Sequence, residues 1–149
     1  MKRFLCALLL GLTAACTPAT TTQPPALTSV PTAGASLTRT DAQGAVTFEV
    51  TPLNLTANTS TLEFEVAMNT HSVDVGWDLA AQAVLKTDTG LEVVGQSWTP
   101  GSGHHYENTL VFPAQTAAGQ PLLTAAQTLT LVIRDTDVPE RIFVWQLNP

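Results

Sequence analysis

The sequence predicts an all-β protein, an immunoglobulin-like antiparallel β-sandwich of seven to eight strands preceded by a signal peptide and a disordered linker. Three observations lead there. Apolar and polar residues alternate in several short runs, and clusters of Gly, Pro, Asn and Asp separate those runs. No segment carries a convincing helical period with a cap. A small barrel is the alternative closure of the same strands.

The domain is expected over residues 36–149. Its first long strand is Ala45 to Leu55, with Val46, Phe48 and Val50 on one face and Thr47, Glu49 and Thr51 on the other. Next, Leu62, Phe64, Val66 and Met68 alternate with Glu63, Glu65 and Ala67. Charges on the off-face mark strands with one side in the core and one in water. Leu91 to Trp98 follows an Asp88-Thr89-Gly90 turn, Thr109 to Phe112 is stopped by Pro113, and Leu129, Leu131 and Ile133 alternate with threonine and valine. In the last run, Ile142 to Leu147, Trp145 keeps step with Phe143 and Leu147 and is expected in the core. Asp78 to Lys86 (DLAAQAVLK) is the exception, because its alanines would tolerate a helical turn or two. The segments Asn69 to Asp78 and Pro100 to Glu107 are long, polar and irregular, the kind of loop on which a rigid scaffold carries function.

Ahead of the domain, Lys2 and Arg3 precede an uncharged apolar run, Phe4 to Leu12, and then Thr13-Ala14-Ala15-Cys16. Such a run is too short to span a bilayer, which takes ~20 residues, and fits a secretory h-region. The pattern resembles a bacterial lipoprotein signal with a lipobox, although Thr13 stands where leucine is commoner. The resemblance implies cleavage after residue 15, lipidation of Cys16, and attachment of the domain to a membrane of the cell envelope, at the outer membrane or cell surface. Residues 16–35 then form a Thr/Pro-rich tether with no charge and too little apolar area to offset its ordering entropy. Loss of Cys6 and acylation of Cys16 would leave no thiol for a disulfide, a nucleophile or a metal ligand.

Charge narrows the partners. Six Lys+Arg oppose 12 Asp+Glu, a net of −6. Without Lys2 and Arg3 the difference becomes 4 − 12, or −8. An acidic chain with so few cations is a poor match for a phosphate backbone, so nucleic acid is not an expected partner. At 44% hydrophobic residues the chain is not disordered throughout.

All three histidines, His71, His104 and His105, fall in the two long loops. Neutral imidazole is a common ligand for zinc or copper. Asp74 is the first candidate to join them, with Asp78 and Glu107 nearby, and Gly101 and Gly103 would let the His-His pair turn inward. On a regular strand His104 would side with Leu110 and Phe112, and His105 with Glu107, so only one of them could meet His71. A three-histidine site therefore prefers loop geometry. The other readings are hydrogen bonding within turns, and ligand contact without metal. Trp77 and Trp98 flank the loops and could stack on a sugar or another flat ligand, the other reading being that Trp98, like Trp145, fills the core. Asp135 and Asp137 are a start toward a calcium site, but their spacing is common in solvated hairpins, and the hairpin is the preferred reading.

Nothing marks an enzyme: Gly-x-Ser-x-Gly, a phosphate-cradling glycine loop and His-Glu-x-x-His are all lacking. The set Met68-Asn69-Thr70-His71-Ser72-Val73-Asp74, Trp98, Gly103-His104-His105 and Glu140-Arg141 with Phe143 and Trp145 resembles an uncharacterised prokaryotic extracytoplasmic domain. That resemblance implies a unit built around the histidine loops and transfers no activity. The expectation is a lipid-anchored, non-catalytic binding domain, with zinc or copper as the metal its histidines would hold. The alternative is a carbohydrate- or protein-binding adhesion or accessory module, using Trp77 and Trp98, with purely structural histidines.

Overall fold

The structure, a computed structural model, describes residues 37–56 and 58–147. The apolar N-terminal run, Cys16 and the Thr/Pro-rich segment lie outside the described residues. Eight strands and one helical turn follow in order: β1 Arg39–Asp41, β2 Val46–Asn54, β3 Thr61–Thr70, α1 Leu79–Gln82, β4 Ala83–Thr87, β5 Glu92–Val94, β6 His105–Pro113, β7 Thr128–Thr136 and β8 Val138–Gln146. They form two four-stranded antiparallel sheets, β1-β2-β3-β6 and β5-β4-β7-β8. The fold is an all-β sandwich.

Alternation builds the core. Val46, Phe48 and Val50 of β2 and Leu62, Phe64, Val66 and Met68 of β3 face inward. Leu129, Leu131 and Ile133 of β7 meet them from the second sheet. At the centre Phe64 makes an edge contact with Phe112 (centroids 5.8 Å apart, 89°) and lies 5.3 Å from the Trp145 ring. Trp145 is fully buried.

Three elements depart from the sequence expectation. The alanine-rich stretch splits: Asp78 caps a single turn by accepting from the Ala80 amide (3.1 Å), and strand β4 starts at Ala83. Tertiary pairing to β5 and β7 overrides alanine's helical preference, because Ala83, Leu85 and Thr87 then point into the core. Strand β6 begins at His105, so the second histidine of the pair belongs to a sheet and not to a loop. Arg141, just past the solvated hairpin expected at Asp135 and Asp137, is fully buried. The hairpin itself forms, closing at Thr136↔Val138 with Asp135 (φ +56°) and Asp137 (φ +66°) in the left-handed region.

Both sides of the sandwich are closed. On one side β1 reaches across from the first sheet to the last strand of the second. The Arg39 guanidinium donates to the Val144 carbonyl (2.9 Å), the Trp145 indole N–H donates to the Leu37 carbonyl (2.6 Å), and Arg141 donates to Asp41. On the other side Ser97 exchanges backbone hydrogen bonds with Val111 of β6. Among the described residues no helix is long and apolar enough to cross a membrane.

Candidate functional site

The two long loops meet at one end of the first sheet. Strands β3 and β6 pair in register with Asn69 opposite His105 and Ala67 opposite Glu107. Past β3 the Thr70 amide donates to the His104 carbonyl (2.9 Å) and the Val75 amide to the Gly103 carbonyl (3.1 Å). The Asp74 carboxylate accepts from the Gly103 amide (2.8 Å). Gly103 sits at φ +94°, which a residue with a side chain rarely adopts, and this lets the chain turn into β6. Val75, fully buried, anchors the loop to the core. The Thr70 hydroxyl donates to the Ala45 carbonyl (2.8 Å), which fixes the start of the loop against the entry to β2.

This frame brings two of the three histidines together. The His71 and His105 rings lie 6.1 Å apart between centroids and nearly perpendicular, at 82°. Both are exposed. His105 Nδ1 is 2.8 Å from Asn69 Oδ1. An amide oxygen can only accept, so Nδ1 is the donor, and in the neutral tautomer that this bond selects Nε2 is the nitrogen with the lone pair. A depression of about 290 Å³ adjoins the pair, lined by Glu49, Ala67, Asn69, His105, Tyr106 and Glu107. His104 is exposed and joins the frame through its backbone carbonyl. Among the described residues no group of three or more His, Cys, Asp or Glu side chains stands in metal-holding geometry. Asp74 serves the loop by its bond to Gly103, and its carboxylate is part of the frame that sets the pair.

The tryptophans have structural partners. Trp98 is buried, packs edge-on against Tyr106 (5.8 Å, 83°) and donates its indole N–H to the Trp77 carbonyl (3.0 Å). Trp77 is half-buried, with its ring 6.3 Å from Phe48. Tyr106 donates to the Thr99 carbonyl (2.7 Å) and lies so close over Gly101 that a Cβ there would meet its ring at 2.1 Å. Gly101 is therefore a packing glycine, not a hinge for the histidines.

Sequence reasoning did not single out Asn69 or Glu49, which flank the histidine pair. The usable signal was strand parity, which places Asn69, Glu107 and His105 on one outward face once β6 is taken to begin at His105. The outer face of this sheet carries Glu49, Glu63, Glu65 and Glu107. A second and larger depression, at the edge formed by β5 and the segment after β6, has Glu92 as its one ionisable lining residue and holds none of the expected site residues. The chain matches no family model, no curated protein and no solved structure.

Proposed function

We propose that the chain is a lipid-anchored, non-catalytic binding domain that takes a divalent transition metal, zinc or copper, on His71 and His105. The observation that carries this reading is the near-perpendicular ring pair at 6.1 Å, with the Nδ1 of His105 held by Asn69. A carbonyl-type acceptor on the second ring nitrogen fixes the tautomer and orientation of metal-binding histidines. Two imidazoles at ~2.0–2.1 Å from one tetrahedral ion hold their ring centroids roughly 5 Å apart, so binding would draw these two exposed rings about 1 Å closer than the observed 6.1 Å. Two protein ligands leave the other positions of a four-coordinate ion to water or to a donor from a bound molecule, which suits capture or presentation. Glu49 and Glu107 beside the pair add an attractive field for a cation.

The test is calorimetric titration of the full chain, without a histidine tag, with zinc and with copper(II). One metal per chain is expected. His71→Ala and His105→Ala should each abolish uptake, Asn69→Ala should weaken it by ~10–100-fold, and His104→Ala should leave it unchanged. No uptake by the unmutated chain, or loss on His104→Ala alone, would overturn the reading. The lipid anchor is tested separately by the mass of the processed product, and an unmodified Cys16 would refute it.

The strand order also supports an immunoglobulin-like reading of the sandwich. The neighbours β2–β3, β3–β6, β4–β7 and β7–β8 correspond to the A–B, B–E, C–F and F–G pairs of that arrangement, with β1 and β5 added at the edges.

A further inference from the structure

The outer face of the second sheet is apolar where the outer face of the first is acidic. Across its four strands the pairings Val94↔Val84, Val84↔Val132 and Val132↔Ile142 line up one unbroken apolar row. Val94 is 66% and Ile142 54% exposed, and Val144, one row on, is 40% exposed. Among the described residues three of the five exposed large apolar side chains lie on this one face. Val132 within the row is only 6% exposed, so the exposed apolar area lies on Val94, Ile142 and Val144 with Val84 half-buried, and apolar side chains gathered on one sheet face mark an interaction surface.

We propose that this face is the contact surface for a second copy of the chain. Charge selects the occupant. The described part of the chain carries 12 acids and four cations, Arg39, Lys86, Arg134 and Arg141. Two copies therefore repel each other wherever acids are unbalanced, as on the first sheet with its four outward glutamates. The second sheet is the neutral exception. Lys86 pairs with Glu92 (3.5 Å) on one side of the apolar row, and Arg134 with Glu140 (3.2 Å) on the other.

The layout of those pairs is compatible with its own copy. Glu92, Lys86, Thr130 and Val144 form one row across the strands, while Arg134 and Glu140 stand on the far side of the apolar row. A half-turn about an axis parallel to the strands sets Val94 against the second copy's Ile142 and Val84 against its Val132. The same rotation brings Lys86 to the second copy's Thr130 and Glu92 to its Val144, so no two like charges meet. Two of the four sheet edges are already engaged, as Arg39 occupies the Val144 carbonyl on β8 and Ser97 pairs with Val111 on β6.

Aligned sheets pack ~10 Å apart. Four strands spaced ~4.8 Å make a face only about 20 Å wide. That is at the small end of specific interfaces, which bury roughly 800 Å² per partner, so the dimer is a weak one.

Sedimentation equilibrium of the full chain tests the proposal. A concentration-dependent monomer–dimer equilibrium is expected, with dissociation at micromolar or higher concentration. Ile142→Lys and Val94→Lys should each weaken it by at least ~10-fold, whereas Leu53→Lys, an equally exposed apolar position on the first sheet, should not. Circular dichroism establishes that each variant is folded. All variants share the apolar N-terminus, so association through that end would be untouched by Ile142→Lys and would overturn the proposal. So would a chain that stays monomeric to about 1 mM. A monomer that binds neutral phosphatidylcholine vesicles and loses this with Ile142→Lys would overturn it in favour of a membrane-facing role.

Discussion

Arg141→Ala is expected to cost about 3–5 kcal/mol of unfolding free energy, the range for breaking one side of a buried ion pair. The guanidinium is fully buried under the Phe48 ring, 4.4 Å from its centroid. It donates to Asp41, to the Gln43 carbonyl (2.9 Å) and to the Thr136 carbonyl (3.3 Å). Truncation leaves three acceptors without their donor and a void beneath the ring. Its Nε and the Thr136 hydroxyl already have no partner in the interior, so the pair is held by position as much as by satisfied bonding. Arg141→Met combined with Asp41→Asn should cost far less than the sum of the single changes, because it removes the charges together and keeps the volume. Urea unfolding of the four proteins measures this. Strict additivity would show that the two residues do not act as a unit.

The same pair sets an acid limit. Burial works against the Asp41 carboxylate, but hydrogen bonds from Gln43 and the Arg141 charge outweigh it and hold its pKa below the ordinary value. A depressed native pKa contributes stability that is fully present above the unfolded value of ~3.9 and is lost as the pH falls below it. Stability of the native chain should therefore decline on acidification below about pH 4, and the decline should be shallower in Asp41→Asn.

Trp145→Ala is the second large loss, again about 3–5 kcal/mol, as for other buried large aromatics. Trp145 fills the space over Phe64 and its indole N–H fastens the carbonyl of Leu37. Trp145→Phe separates the two roles. It keeps most of the ring and removes the donor, so it should cost about 1 kcal/mol and speed amide exchange over Arg39–Asp41, with β2 and β3 unaffected. A Phe variant as unstable as the Ala variant would place the energy in the hydrogen bond and not in the packing.

The alternation that reveals β2, β3, β7 and the end of β8 was legible because each has one apolar face and one polar face. Strand β4 was masked by its residue types, since Ala83 continues the alanine run of α1 and looks helical until the neighbours β5 and β7 are known. Strand β1, three residues long, has no period to read. Its place comes from Arg39, Asp41 and Leu37, whose partners are about a hundred positions away. The start of β6 was hidden because an outward strand face of His, Glu and Thr reads like loop. Arg141 was legible in principle: it shares parity with Phe143 and Trp145, and a charge in step with two core aromatics has to be a buried charge. The approach of His71 to His105 depends on the pairing of β3 with β6, and no local pattern states which strands will pair.

The bonds from Leu37, Arg39 and Asp41 to β8 join positions 108, 105 and 100 residues apart. The first strand, paired with β2 along its backbone, is thus also fastened to the last one, and contacts of such long separation are slow to form because the loop between them must close first. While the chain is being made, β1 can pair with β2 as soon as that strand exists, but its bonds to the second sheet wait until Arg141, Val144 and Trp145 have emerged. A chain cut short before residue 138 would keep β1 paired to β2 but lack the bonds that fasten it to the second sheet.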